Sequence, residues 1–92
     1  MSEQRRQFTG LILVTGTDSP GITQALFDAL SPFKIAVLDI EQVVIRGRLI
    51  LTVLIELDPA HAPAIESDLE LCAQNLKVDI ATSFQEEEIS SI

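Results

Sequence analysis

Residues 15–22 hold the side chains best suited to binding a small anion, and they read TGTDSPGI. An apolar run precedes them and apolar residues at helical spacing follow, so we predict a turn from a strand into a helix. Asp18 or Ser19 suits the capping position of that helix, and Pro20 suits its first position. Gly21 leaves the first amides approachable, and aligned peptide dipoles place about half a positive charge there, which suits the carboxylate of a small metabolite. A well-capped helix without a ligand is the alternative that these residue types allow.

Three polar side chains lie in a later extended segment. Asp39 and Glu41 share one face, where paired carboxylates can exchange protons or protect an exposed sheet edge. Strict alternation adds four apolar residues to that face: Ile35, Val37, Val43 and Ile45. Gln42 is the lone polar residue on the opposite face, beside Ala36, Leu38, Ile40 and Val44. Because a buried amide needs hydrogen-bond partners, Gln42 is expected to bind either backbone at a dimer seam or the head group of a ligand.

We predict no catalytic set and no metal site in this chain. Ser19 has no plausible histidine partner, because His61, the lone histidine, sits at the start of the second predicted helix. One histidine and one cysteine make no recognisable transition-metal constellation. Cys72 falls at an inward helical position and is predicted to be a buried structural thiol.

The elements that must position these residues follow the order β-α-β-β-α-β. Strands are predicted over 8–14, 34–46, 49–57 and 77–84, and helices over 20–33 and from Ala62 onward. Arg46, Gly47 and Arg48 signal a tight hairpin. This order is that of the ferredoxin-like α+β sandwich, a four-stranded antiparallel sheet with two helices on one face. Right-handed crossovers place the third strand between the first and second, so the second strand is an edge.

Composition excludes several classes of partner. The 92 residues carry a net charge of −8, which repels nucleic acid. No run approaches the ~20 apolar residues of a membrane span, so we expect a cytoplasmic protein without a membrane partner. We assign residues 1–7 to a disordered N-terminus, 8–84 to one folded domain and 85–92 to an acidic tail or linker.

The predicted edge strand is apolar on both faces and has no interior proline. An unpaired edge of that kind is a template for pairing, and two helices cover only one face of a sheet. We therefore predict a homodimer, or pairing with a second domain on the same chain. A monomer with an unusually apolar open face is the alternative.

Two segments resemble ACT domains. Residues 13–23, LVTGTDSPGIT, are similar to the first strand and loop of that family, whose usual signature is D-R-P-G followed by Ile or Val; Ser19 replaces the more frequent Arg. This motif is generic to ACT domains, including those of formyltetrahydrofolate deformylases. Residues 38–49, LDIEQVVIRGRL, are more specific and resemble the second-strand hairpin of the N-terminal ACT domain in actinobacterial-type phosphoserine phosphatases. The resemblance covers residues 8–84.

The resemblance implies a regulatory module that binds a small molecule, often an amino acid, between paired domains. Its ligand-binding positions fall on the first loop of one domain and the second strand of its neighbour: Gly16, Asp18, Ser19, Gly21, Ile22, Asp39 and Gln42. Amides near Gly21 would take the carboxylate of the ligand, and Asp18 or Asp39 its ammonium group. Ile22 would form a wall of the pocket.

The resemblance also implies what this chain lacks. Phosphoserine phosphatases use a D-x-D-x-T/V motif with Mg²⁺, whereas residues 79–82 read DIAT, without the second Asp. We therefore expect no hydrolysis and no cofactor in this chain, which is either a fragment of such an enzyme or a free-standing homologue. L-serine is the ligand that the resemblance favours, and a ligand-free dimerisation module is the alternative.

Overall fold

The computed structural model describes the backbone of residues 3–91 and the side chains of residues 7–86. Its elements are β1 (Glu3–Thr17), α1 (Ile22–Leu30), β2 (Ile35–Ile45), β3 (Arg48–Leu57), a 3₁₀ turn (Pro59–His61), α2 (Ala62–Leu76) and β4 (Asp79–Ser91). The strands form one antiparallel sheet in the order β2-β3-β1-β4, with both helices packed on one face. The predicted ferredoxin-like fold and the edge position of β2 are confirmed.

The hydrophobic core lies between that face and the helices. Alternate residues of β3 supply its centre, and all are buried: Leu49, Leu51, Val53, Ile55 and Leu57. Ile12 and Val14 of β1 lie beside them, while Leu26 of α1 and Leu69 of α2 close the other side. Each such side chain contributes about 1.5–3 kcal/mol relative to leaving it exposed, so burial of this face fixes the strand register.

The helices differ from prediction mainly at the ends of α1. This helix begins at Ile22 and ends at Leu30, two residues later and three residues earlier than predicted. The Ser31 hydroxyl donates to the carbonyl of Asp28 at 2.7 Å, and Pro32 then prevents further helix. Helix α2 begins at Ala62, as predicted. Neither helix of the described chain is long and apolar enough to cross a membrane.

β2 carries a β-bulge at Leu38, which has no partner on β3 and lies between the paired residues Val37 and Asp39. An extra residue reverses the alternation of side chains, so residues before the bulge change faces relative to those after it. On the helix face β2 therefore presents Ile35, Val37, Ile40, Gln42 and Val44. The predicted grouping of Ile35 and Val37 with Asp39 is wrong, because strict alternation does not hold across the bulge.

β1 and β4 continue beyond their predicted ends. Residues 3–8 pair with residues 86–91, and the rings of Phe8 and Phe84 stack with their centroids 6.0 Å apart. The prediction of a disordered segment over 1–7 and of a tail or linker over 85–92 is therefore corrected, because the backbone of 3–7 and 85–91 lies in strands. Residues 1, 2 and 92 lie outside the described chain. The two segments are rich in charged residues and do not show the alternation of apolar and polar residues that predicts a strand. Each segment nevertheless supplies the backbone hydrogen-bond partners of the other.

Candidate functional site

An open cleft of about 590 Å³ lies between the β1–α1 loop, the first turns of α1 and the β2–β3 hairpin. We call it the loop cleft. Its lining residues are Asp18, Ser19, Pro20, Gly21, Ile22, Thr23, Gln24, Phe27, Gln42 and Leu49. Asp18 is the one charged side chain among them. The cleft thus combines one carboxylate with the N-terminus of a helix and an apolar wall.

The hairpin holds the loop in place. The Asp18 amide donates to the carbonyl of Gly47 at 2.8 Å. Gly47 and Arg46 form the two-residue turn of the β2–β3 hairpin, and both have positive φ, 75° and 51°. Positive φ at both central residues is the geometry of the turn that matches strand twist in two-residue hairpins. The predicted hairpin is confirmed, and its tip fixes one side of the cleft.

The start of α1 leaves backbone donors at the cleft. Gly21 is the residue before the helix, with φ of 90°, and no side chain caps the helix. The first intrahelical bond is from the Ala25 amide to the Gly21 carbonyl at 2.9 Å, so the three preceding amides have no carbonyl within the helix. The prediction that Asp18 or Ser19 caps α1 is wrong, because the helix begins after Gly21. The uncapped amides and the helix dipole give this end a partial positive charge.

Gln42 lies across the cleft from the helix. Its side-chain oxygen accepts a hydrogen bond from the Thr23 hydroxyl at 3.4 Å, and its side chain is exposed. The bulge at Leu38 leaves Gln42 on the helix face. Gln42 therefore faces α1 with donor capacity that this single bond does not use.

Five of the seven predicted site residues line the loop cleft: Asp18, Ser19, Gly21, Ile22 and Gln42. Ile22 is also a core residue, 2% exposed, so it forms the cleft wall from beneath. Gly16 lies elsewhere, packed against Val78, whose Cγ1 would be 2.9 Å from a Cβ at position 16. The close packing of Val78 on β1 explains why a residue without a side chain lies at position 16.

Asp39 also lies apart from the loop cleft. It sits on the open face of the sheet and lines a depression of about 130 Å³ with Glu41 and Leu11. Its carboxylate accepts a hydrogen bond from the Ile40 amide at 2.8 Å. Within a single copy, Asp39 and Asp18 therefore do not face one ligand.

Five lining residues were not among the predicted site residues: Pro20, Thr23, Gln24, Phe27 and Leu49. Because α1 begins at Ile22, two residues later than predicted, Thr23 and Gln24 carry its second and third amides. Phe27 lies one turn further along the same helix face. Helical spacing counted from Gly21 predicts that Thr23, Gln24 and Phe27 line the cleft. The position of Leu49 in the cleft could not be predicted in this way, because it depends on strand pairing across the sheet.

Other reactive groups lie away from this cleft. Cys72 is buried, as predicted, and burial raises the pKa of its thiol above the usual value by disfavouring the thiolate. In the described chain, no group of three His, Cys, Asp or Glu side chains is arranged to hold a metal ion.

Comparison with known proteins matches this fold and sequence to one family. Residues 9–83 match the family profile described as an ACT domain. Phosphoserine phosphatase SerB2 of Mycobacterium tuberculosis is 45% identical over 73 residues, which are 77% of this chain and 18% of that protein. Phosphoserine phosphatase of Streptomyces coelicolor is 46% identical over 61 residues, 66% of this chain and 14% of that protein. The chain thus spans less than a fifth of the length of either phosphatase.

A solved structure agrees on the fold. The ACT domain protein from Streptococcus pneumoniae superimposes with a TM-score of 0.73 at 20% identity, over 84% of this chain and 89% of that one. At such identity the likeness concerns the fold alone. Together with the profile match over most of the chain, it means that this chain belongs to the ACT domain family and is related to the ACT domains of phosphoserine phosphatases.

Proposed function

We propose that this chain is a regulatory module that binds a small amino acid, L-serine first among them, in the loop cleft. The observation that carries the proposal is the uncapped start of α1 beside the carboxylate of Asp18. A free amino acid carries a carboxylate and an ammonium group on neighbouring carbons. The amides of the first helical turn suit the carboxylate, and Asp18 suits the ammonium group.

Polar groups around the cleft favour a small, hydroxylated side chain. Gln42 has unused donors, and the Thr23 hydroxyl lies beside it at 3.4 Å. A serine hydroxyl can replace that long bond with shorter ones to both residues. Phe27 and Ile22 limit the apolar depth of the cleft, so a larger side chain gains contact area but loses these polar partners.

The parent activity is part of the same proposal. Both phosphatases that resemble this chain are named for removing phosphate from phosphoserine, which yields serine. A module that binds serine would let the product of the reaction regulate the enzyme. The Mg²⁺ and the hydrolytic residues would belong to a catalytic part outside this sequence.

A titration tests the ligand. L-serine added to the ¹⁵N-labelled chain is expected to shift the amide resonances of Ile22, Thr23 and Gln24. Asp18→Asn is expected to weaken binding about tenfold, because a charge-assisted hydrogen bond to the ammonium is lost. Asp68→Asn is the matched control, since Asp68 lies on α2 and does not line the loop cleft. The proposal would be contradicted if none of the twenty amino acids, at millimolar concentration, shifted these amide resonances.

A ligand-free pairing module is the second candidate, favoured by the exposed apolar residues of β2. In that case the chain dimerises, Asp18→Asn leaves the dimer intact, and no amino acid shifts the amides of α1. The same titration therefore separates the two functions.

A further inference from the structure

A second cleft lies at the corner of the sheet where β1 ends beside the C-terminus of α2 and the start of β4. We call it the corner cleft; it has a volume of about 610 Å³ and shares no lining residue with the loop cleft. Four charged residues line it: Arg48, Glu70, Lys77 and Asp79. The four side chains are exposed, and none forms a hydrogen bond or ion pair in the described chain.

The floor of the corner cleft includes backbone that the sheet leaves unpaired. The last pair between β1 and β4 is Thr15 with Asp79, whereas β1 continues to Thr17, which pairs with Arg48 of β3. Beyond Thr15, β1 therefore has no paired strand on its β4 side. Alternate residues of an antiparallel strand direct their amide and carbonyl to one side, so one of Gly16 and Thr17 directs these groups to the unpaired side. Gly16, Thr17 and Val78 all line the corner cleft, so this end of β1 forms part of its wall.

We propose that the corner cleft is a second ligand site, which takes a small zwitterion of the amino-acid class. Arg48 and Lys77 bind the carboxylate of the ligand, and Glu70 and Asp79 bind its ammonium group, through charge-assisted hydrogen bonds. The site is independent of the loop cleft, because the two share no residue.

The balance of charge selects this ligand class. The cleft holds two cations and two carboxylates, in a chain whose net charge is −8. A simple anion is repelled by the two carboxylates and by the field of an acidic protein. A simple cation is repelled by Arg48 and Lys77. A molecule that carries both signs avoids each repulsion and gains both attractions.

Three probes test the charge requirement in the ¹⁵N-labelled chain at constant ionic strength. L-serine carries both charges, 3-hydroxypropionate lacks the ammonium group, and ethanolamine lacks the carboxylate. L-serine is expected to shift the amides of Gly16, Thr17, Val78 and Asp79. Each singly charged probe is expected to need about tenfold higher concentration for the same shift. Equal effects of all three probes would overturn the zwitterion assignment, and unmoved corner amides at millimolar L-serine would overturn the site.

Charge-removing variants test the assigned groups. Lys77→Gln and Glu70→Gln are each expected to weaken the response of the corner amides about tenfold, while the amides of Ile22–Gln24 keep their own response. Lys34→Gln is the control, because Lys34 is exposed and lines neither cleft. Corner shifts that survive Lys77→Gln and Glu70→Gln unchanged would overturn the assignment. The two clefts report on different amides, so failure at one is distinguishable from failure at the other.

Discussion

Gly21 determines where α1 begins, because its φ of 90° is a conformation that L side chains rarely adopt. A Cβ at this position would meet no atom within 4 Å, so a substitution affects backbone strain without a steric clash. We expect Gly21→Ala to lower the free energy of unfolding by about 1–2 kcal/mol, measured by urea denaturation.

Asparagine provides the matched comparison at this residue, because its short polar side chain tolerates left-handed backbone. Gly21→Asn is expected to cost less than Gly21→Ala. Equal stability of the wild type and Gly21→Ala would mean that the helix start can move to Pro20 or Ser19 without cost. The cleft would then lose its backbone donors to a side-chain cap.

The β2–β3 hairpin is the element that clamps the loop, and its turn contains one strained residue. Arg46 has φ of 51°, a region that costs most L residues about 1–2 kcal/mol and that asparagine adopts more readily. Because Asn-Gly is the preferred pair for this turn, Arg46→Asn is expected to raise the free energy of unfolding by about 0.5–1 kcal/mol.

Lys34→Asn is the control for Arg46→Asn, since it also replaces an exposed cation with asparagine but lies outside the set of positive-φ residues. It is expected to leave stability within about 0.5 kcal/mol of the wild type. A similar gain in both variants would assign the effect to charge instead of turn geometry.

The open face of the sheet and the edge of β2 carry exposed apolar side chains. They include Leu11, Leu13, Val43, Ile45 and Ile50, between 37% and 58% exposed. Two helices cover the other face of the sheet, so nothing within the described chain hides this surface. Such a patch marks a surface for association. We expect light scattering at micromolar concentration to give about twice the monomer mass of 10.1 kDa.

Val43 tests which surface pairs, because it belongs both to the edge strand and to the open face. Val43→Lys is expected to shift the chain towards monomer, since a buried lysine at the interface has no partner. Leu71→Lys is the control: Leu71 is 56% exposed on α2, away from the sheet. A measured mass of about 10.1 kDa for the wild type would mean that the chain is a monomer and would contradict association through either surface.

Much of the fold was predictable from local patterns in the sequence. The buried alternation of Leu49 to Leu57 and the helical spacing around Leu69 each report a face that must avoid water, so element type and order follow. The helix start was less predictable: Asp18, Ser19 and Pro20 are all good capping residues, yet α1 begins after Gly21. Capping preferences allow several starts, and the left-handed backbone at Gly21 decides between them.

The β-α-β-β-α-β order could be predicted from residues close together in the chain, and the edge position of β2 follows from that order through right-handed crossovers. Which residues share a cleft depends instead on how the strands pair across the sheet. The bulge at Leu38 changes the faces of Ile35 and Val37, and strand pairing puts Asp39 on the face opposite the loop cleft. It also pairs the chain ends, whose residues show no strand period. Register and bulges could not be predicted because they depend on hydrogen bonds to a partner strand, which no local pattern in the sequence records.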